Sequence, residues 1–310
     1  MSDRLLPVAD SLVSLRTGVV NVLLSGPPGA GDRGWVLVDA GLPGSADAIR
    51  DAAARRFGAG ARPSAIVLTH GHFDHVGAVE ALAERWDAPV YAHPLELPYL
   101  TGRSAYPPPD PTVGGGALAA LSFLYPKRPI DLGRRVGPLP EGGAVPGMPG
   151  WRWLHTPGHT AGHVSLWREA DRALVAGDAF ATTRQESLVS VALQRPAVEG
   201  PPAYFTPDWP AAQRSVEALA ALDPEAVGAG HGPPMRGSEL TRGLARLVEA
   251  FGRRAVPSSG RYVGAPAVAD ADGVVSVPPP DARGRAALGV VAASAGSLAL
   301  RALGRRVLRR

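Results

Sequence analysis

Thr69-His70-Gly71-His72-Phe73-Asp74-His75 is the stretch whose reading decides this chain. It follows Ala65-Ile66-Val67-Leu68, an apolar and largely β-branched run that reads as a buried strand. Three imidazoles and a carboxylate then arrive together, although the 310 residues hold only eight histidines. His70 and His72 are two apart, so an extended turn points them the same way. Neutral imidazole and carboxylate suit divalent zinc, manganese or iron. Four such groups buried without an ion would form a costly polar cluster. The plain alternative is a solvated loop rich in histidine. Further candidate ligands downstream argue against it.

Hydrophobic residues make up 45% of the chain, enough to bury a large core in one domain or two. There is no cysteine, which excludes disulfides, thiolate nucleophiles and thiolate metal ligands. The N-terminus lacks a basic region followed by a long apolar core, so no signal peptide is expected and the expected location is the cytoplasm. The net charge of +4 is unevenly spread. Ten arginines and three aspartates lie between Phe251 and Arg310, which leaves residues 1–250 at −3. A mildly acidic body speaks for a small-molecule substrate and against nucleic acid.

Taken in order, Val19 to Leu24 and Trp35 to Asp39 read as two strands of a hairpin around a Gly/Pro-rich turn. A helix is expected from Ser45, its N-cap, to Phe57. The Ala65 strand, the histidine-rich stretch, a helix to Trp86 and a strand over Pro89–Ala92 follow. This alternation favours a layered α/β architecture. Residues 101–150 break it with proline and glycine clusters and one short helix expected over Ala117–Tyr125; such an insertion is either a substrate wall or a plain exposed loop. Strands return at Trp151–His155, Val164–Trp167, Ala173–Ala176 and Ala226–Ala229, with helices expected over Asp208–Leu222 and Leu240–Phe251. Candidate ligands recur where strands end: His70 to His75, His159, Asp178 and His231. Such loops are where α/β folds place sites.

These motifs, namely Thr69 to His75, Thr156-Pro157-Gly158-His159-Thr160, Gly177-Asp178 and Gly230-His231-Gly232, with Val38-Asp39-Ala40-Gly41 before them, resemble the metallo-β-lactamase superfamily over residues 15–250. The resemblance implies a four-layer αβ/βα sandwich with a metal site at one edge of two packed sheets. It implies that His70, His72 and His159 hold one metal, that Asp74, His75 and His231 hold a second, and that Asp178 bridges. Two divalent ions, expected to be zinc, would share a hydroxide near neutral pH and attack a small ester, thioester or lactone. Asp74 and Asp178 are then the catalytic candidates; spacing alone leaves Asp74 open between ligand and base. Asp39 reads as a carboxylate orienting a ligand imidazole, or as a turn cap. The alternatives to a dinuclear hydrolase are a mononuclear iron oxygenase on this scaffold and a non-catalytic binding module.

His155 reads as structural, while His163 and His93 lie open between pocket wall and strand end or helix cap. Residues 1–252 are expected to form the catalytic domain, and 253–310 a Pro/Gly-rich extension with short β-like pieces and a basic tail. Ala286–Leu300 carries no charge and is flanked by arginines. It is too short to span a bilayer, and reads as a weak peripheral membrane contact, or as a tail that is poorly ordered or docked on its own body. The sequence does not set the oligomeric state.

Overall fold

The computed structural model describes residues 4–281. The first sheet has seven strands in sequence order: β1 (Leu5–Ala9), β2 (Leu12–Thr17), β3 (Val20–Ser25), β4 (Val36–Val38), β5 (Ala65–Val67), β6 (Val90–Ala92) and β7 (Val136–Pro138). Strands β1 to β4 are antiparallel neighbours, and β4 to β7 are parallel. The second sheet runs β12 (Met235–Arg236), β11 (Ala226–Ala229), β10 (Ala173–Gly177), β9 (Val164–Arg168) and β8 (Trp151–His155). A small hairpin, β13 (Val268–Asp270) and β14 (Gly273–Ser276), follows.

Alternation along the central strands builds four layers. Val36, Val38, Ala65 and Val67 of the first sheet meet Val164, Leu166, Ala173 and Val175 of the second in one dry cluster. Leu37 and Ile66 point the other way, onto Ile49 and Phe57 of the Ala46–Phe57 helix and Val79 and Leu82 of the Val79–Trp86 helix. Leu174 and Ala176 pack on the Trp209–Ala221 and Gly237–Glu249 helices. Strands buried on both faces read as continuous apolar runs, which is why they stand out in the sequence. The αβ/βα sandwich expected from the sequence is the fold observed.

Several local expectations are corrected. Ser45 precedes its helix but its hydroxyl makes no cap bond, because its own backbone is already helical (φ −81°, ψ −5°). The stretch around His75 is two helices, Phe73–Val76 and Val79–Trp86, because Gly77 N–H donates to Gly41 O instead of continuing the helical ladder, and only glycine fits against the Leu42–Pro43 backbone there. The helix expected over Ala117–Tyr125 is a turn at Ala117–Ala120 and a 3₁₀ turn at Ser122–Leu124. Strands β1, β2, β7, β12 and β13 carry no sequence expectation. Of the β-like pieces after residue 257, Gly273–Ser276 is a strand and Arg261–Val263 is a turn. The uncharged Ala286–Leu300 run lies outside the described residues. Among those described, no helix is long and apolar enough to cross a membrane.

Trp35 anchors the outer core of the first sheet. It is 1% exposed, stacks on Phe57 at 4.5 Å and meets Trp86 edge-on at 5.4 Å. Trp35→Ala is expected to destabilise the fold by about 3–5 kcal/mol, read as a lower denaturant midpoint in equilibrium unfolding.

Candidate metal centre

All seven sequence-expected residues, His70, His72, Asp74, His75, His159, Asp178 and His231, are buried and meet at one edge of the two sheets. The loop after β5 supplies His70 and His72, the short Phe73–Val76 helix Asp74 and His75, the loop after β8 His159, that after β10 Asp178, and that after β11 His231. Backbone bonds join the sheets here: Asn21 N–H donates to Gly230 O at 2.7 Å, and Val164 N–H to Thr69 O at 2.9 Å. The Asn21 amide adds bonds to Ala229 O and Gly232 O. Two glycines allow the close approach. Gly158 (φ +135°) lies against the Ala212 backbone, and a Cβ on Gly177 (φ +53°) would sit 2.5 Å from His163 Nε2.

Hydrogen bonds on the outside of the cluster set which ring nitrogen carries the proton. Asp39 accepts from Thr69 N–H and Thr69 O–H at 2.8 Å each, and from His75 Nδ1 at 2.8 Å. It therefore orients an imidazole and ties the turn at once. With its own proton given to Asp39, the Thr69 hydroxyl accepts from His70 Nδ1 at 3.1 Å. His231 Nδ1 donates to Val19 O at 2.8 Å. The Thr206 hydroxyl donates to Pro202 O and so accepts from His159 Nδ1 at 3.3 Å. In each of these four rings the outer bond occupies Nδ1 and leaves Nε2 facing inward, with a lone pair to offer whenever the ring is neutral.

Three sets of inward atoms lie within 4.8 Å of one another: His70, His72 and His159; His70, His75 and Asp178; Asp74, His75 and His231. Asp178 stands between the groups, with one oxygen 3.4 Å from His159 Nε2 and 3.0 Å from His231 Nε2, and the other 3.5 Å from His75 Nε2. His70 Nε2, His75 Nε2 and Asp178 Oδ1 are buried without a hydrogen-bond partner. Orphaned lone pairs of this kind fit a divalent cation. Burial holds His70 and His159 well below the usual histidine range and His72 at about 3, so all three are neutral. Burial also opposes charge on His75 and His231, yet Asp178 and neighbouring carboxylates outweigh it and raise both. Burial alone would raise Asp178, but His231 and His75 hold it well below its usual range; burial raises Asp74.

Two positioning residues escaped the sequence reading. Glu96 is fully buried and accepts four hydrogen bonds: from Gly71 N–H and the Tyr106 hydroxyl on one oxygen, and from Thr160 O–H and Gly162 N–H on the other. It thereby ties the His70–His72 turn to the His159 turn. A lone acid within the apolar Leu95–Leu100 stretch was the available signal. His163 Nδ1 donates to Thr156 O, and its Nε2 accepts the Asp178 N–H at 2.8 Å. It holds the Asp178 backbone and is lowered to about 3 by burial. His93 caps a 3₁₀ turn by accepting from Leu95 N–H, and stacks on His155 at 4.2 Å, away from the cluster.

The family model for the metallo-beta-lactamase superfamily matches residues 15–231. The chain belongs to that superfamily. It is 50% identical over 213 residues to the probable metallo-hydrolase YflN of Bacillus subtilis, covering 69% of this chain and 81% of that one. It is 35% identical over 151 residues to the probable metallo-hydrolase YybB of the same organism, covering 48% and 59%. An archaeal metallo-beta-lactamase superfamily protein from Sulfolobus tokodaii shares the fold, with a TM-score of 0.53 and 22% identity over 83% of this chain and 93% of that one.

In this superfamily member two cavities open on the centre. The larger, about 350 Å³, starts at His72 and His159 and is walled by Tyr99, Tyr106, Phe205 and residues 266–269. The smaller, about 190 Å³, lies across His72 and is lined by Phe73, Val76, Val79, Lys127 and Arg128. The insertion over residues 101–150 thus contributes to both walls.

Ligands must be deprotonated to bind metal. Because the folded-state pKa values of His75 and His231 are raised, protons compete with metal above the ordinary histidine range. Metal affinity is expected to fall as the pH is lowered, with the fall already under way above the ordinary histidine pKa of about 6.5, as measured by chelator competition. Glu96→Ala is expected to lower that affinity by about 10–100-fold. Glu96→Gln keeps one acceptor oxygen and should recover part of it.

Proposed function

We propose that this chain is a dinuclear metal-dependent hydrolase of small carboxylic esters, thioesters or lactones. The observation that carries the reading is the convergence of buried, partnerless lone pairs on His70, His75 and Asp178 between two complete ligand triads. In this reading His70, His72 and His159 hold one ion, Asp74, His75 and His231 hold the other, and Asp178 lies between them. Five imidazoles and two carboxylates with no thiolate suit zinc. When bound, the ions supply Lewis-acid polarisation of the acyl oxygen and a water acidified toward neutral pH.

The protein's own groups do the rest. The water oxygen bonds to the acyl carbon. The bond from that carbon to the leaving oxygen or sulfur breaks, and its electron pair stays on the leaving atom. Asp74, through the carboxylate oxygen not given to an ion, would take the water proton and return one to that atom. His163 and Glu96 keep Asp178 and the two imidazole turns in place while charge shifts. The cavities on either side of His72 give room for the acyl part and the leaving part. The complete Asp74–His75–His231 triad favours this reading over a mononuclear iron oxygenase, which has no use for a second set of ligands.

Elemental analysis of protein purified without added metal is expected to give about two zinc ions per chain. Asp178→Ala should lose metal and at least about 100-fold in hydrolysis. A single iron in the wild type would move the oxygenase reading to the front.

A further inference from the structure

We infer that the substrate carries an uncharged, apolar acyl group, and that this group lies in the larger cavity. The inference rests on the hydrolase reading and specifies its substrate class. Much of that cavity's wall is built from residues with polar atoms, yet nearly all of those atoms already have partners inside the protein. The Tyr106 hydroxyl donates to Glu96 and accepts Gly71 N–H. The Thr160 hydroxyl donates to Glu96, and the Tyr262 hydroxyl to Pro108 O at 2.6 Å. The Asp208 carboxylate caps its helix through Ala211 N–H, and Ala267 N–H donates to Pro207 O. What the wall presents to a ligand is ring face, proline and alanine: Tyr99 stacked on Tyr106 at 3.9 Å, Phe205 stacked on His72 at 4.5 Å, and Ala267–Ala269 opposite.

Three polar groups remain: the Tyr99 hydroxyl, the second oxygen of the half-buried Asp208 carboxylate, and Arg214. Arg214 is exposed at the rim, where water reaches it. A carboxylate inside the cavity would lose its hydration, gain no buried cationic partner and share the space with the Asp208 carboxylate. A methylene there gains about 0.8 kcal/mol by leaving water, about four-fold in binding. The smaller cavity across His72 offers less room, about 190 Å³ against about 350 Å³. This difference sets the direction of the substrate: the acyl chain toward Ala267–Ala269, and the leaving group toward Phe73 and Val76.

The test uses the full, zinc-loaded chain and p-nitrophenyl acetate, butyrate, hexanoate and octanoate, with the p-nitrophenyl hemisuccinate as a charged acyl group. The expected kcat/KM rises about four-fold per methylene until the cavity is filled, with the hemisuccinate below the butyrate. Ala269→Trp should lower the octanoate-to-acetate ratio. A flat or falling profile, or hemisuccinate preferred over butyrate, overturns the inference and leaves the hydrolase reading standing. If no ester is cleaved, the ester part of the hydrolase reading fails, and the acyl site is read by calorimetry. Octanoate is then expected to bind the zinc-loaded chain more tightly than acetate, and equal affinities overturn the inference.

Discussion

Imidazoles can converge on a cation only if their inner nitrogens carry no proton. The protein meets this constraint from the outside. Val19 O, Asp39, the Thr69 hydroxyl and the Thr206 hydroxyl each take the outer proton of one ring. Two of these partners are threonines, which could either donate or accept. Their direction is fixed because Thr69 gives its proton to Asp39 and Thr206 gives its own to Pro202 O. Thus the polarity of the centre is decided one bond further out than its ligands.

The same edge also has to hold two sheets in register. The dry cluster between the sheets is non-directional and would tolerate small slips. The Asn21 and Val164 bonds do not, because each ties a strand of one sheet to a ligand loop of the other. Glu96 serves a similar end within the loops. A buried carboxylate with four donors is well satisfied, and its two oxygens fix the gap between the turns that carry His70, His72 and His159.

The layered fold and the convergence of the candidate ligands were legible in the sequence because both follow from local runs. Doubly buried strands such as Ala65–Val67 are continuous apolar segments, and ligands cluster at their ends. What was not legible depends on partners far away in the chain. Strand β7 is a Val-Gly-Pro triplet that becomes a strand only by pairing with β6. Strand β1 is half-exposed and lacks a clear alternation. Glu96 shows its importance only when residues 71, 106, 160 and 162 come together, and His163 only when Gly177 brings Asp178 against it. Ser45 shows the reverse failure, a good local signal overridden by the turn that precedes it.

The centre and the cavity are written in different parts of the chain. All seven converging residues fall within residues 15–231, the span shared with the superfamily. The wall opposite Phe205 comes from Tyr262 and residues 266–269, after that span ends. It forms its own hairpin, moored to the body by hydrogen bonds to Pro108 O, Asp110, Ser104 and Pro207 O rather than by joining either large sheet. Inheritance can therefore act on the two parts separately. Exchange of the segment beyond residue 256 between homologous genes would replace one side of the cavity while leaving every proton of the centre where it is.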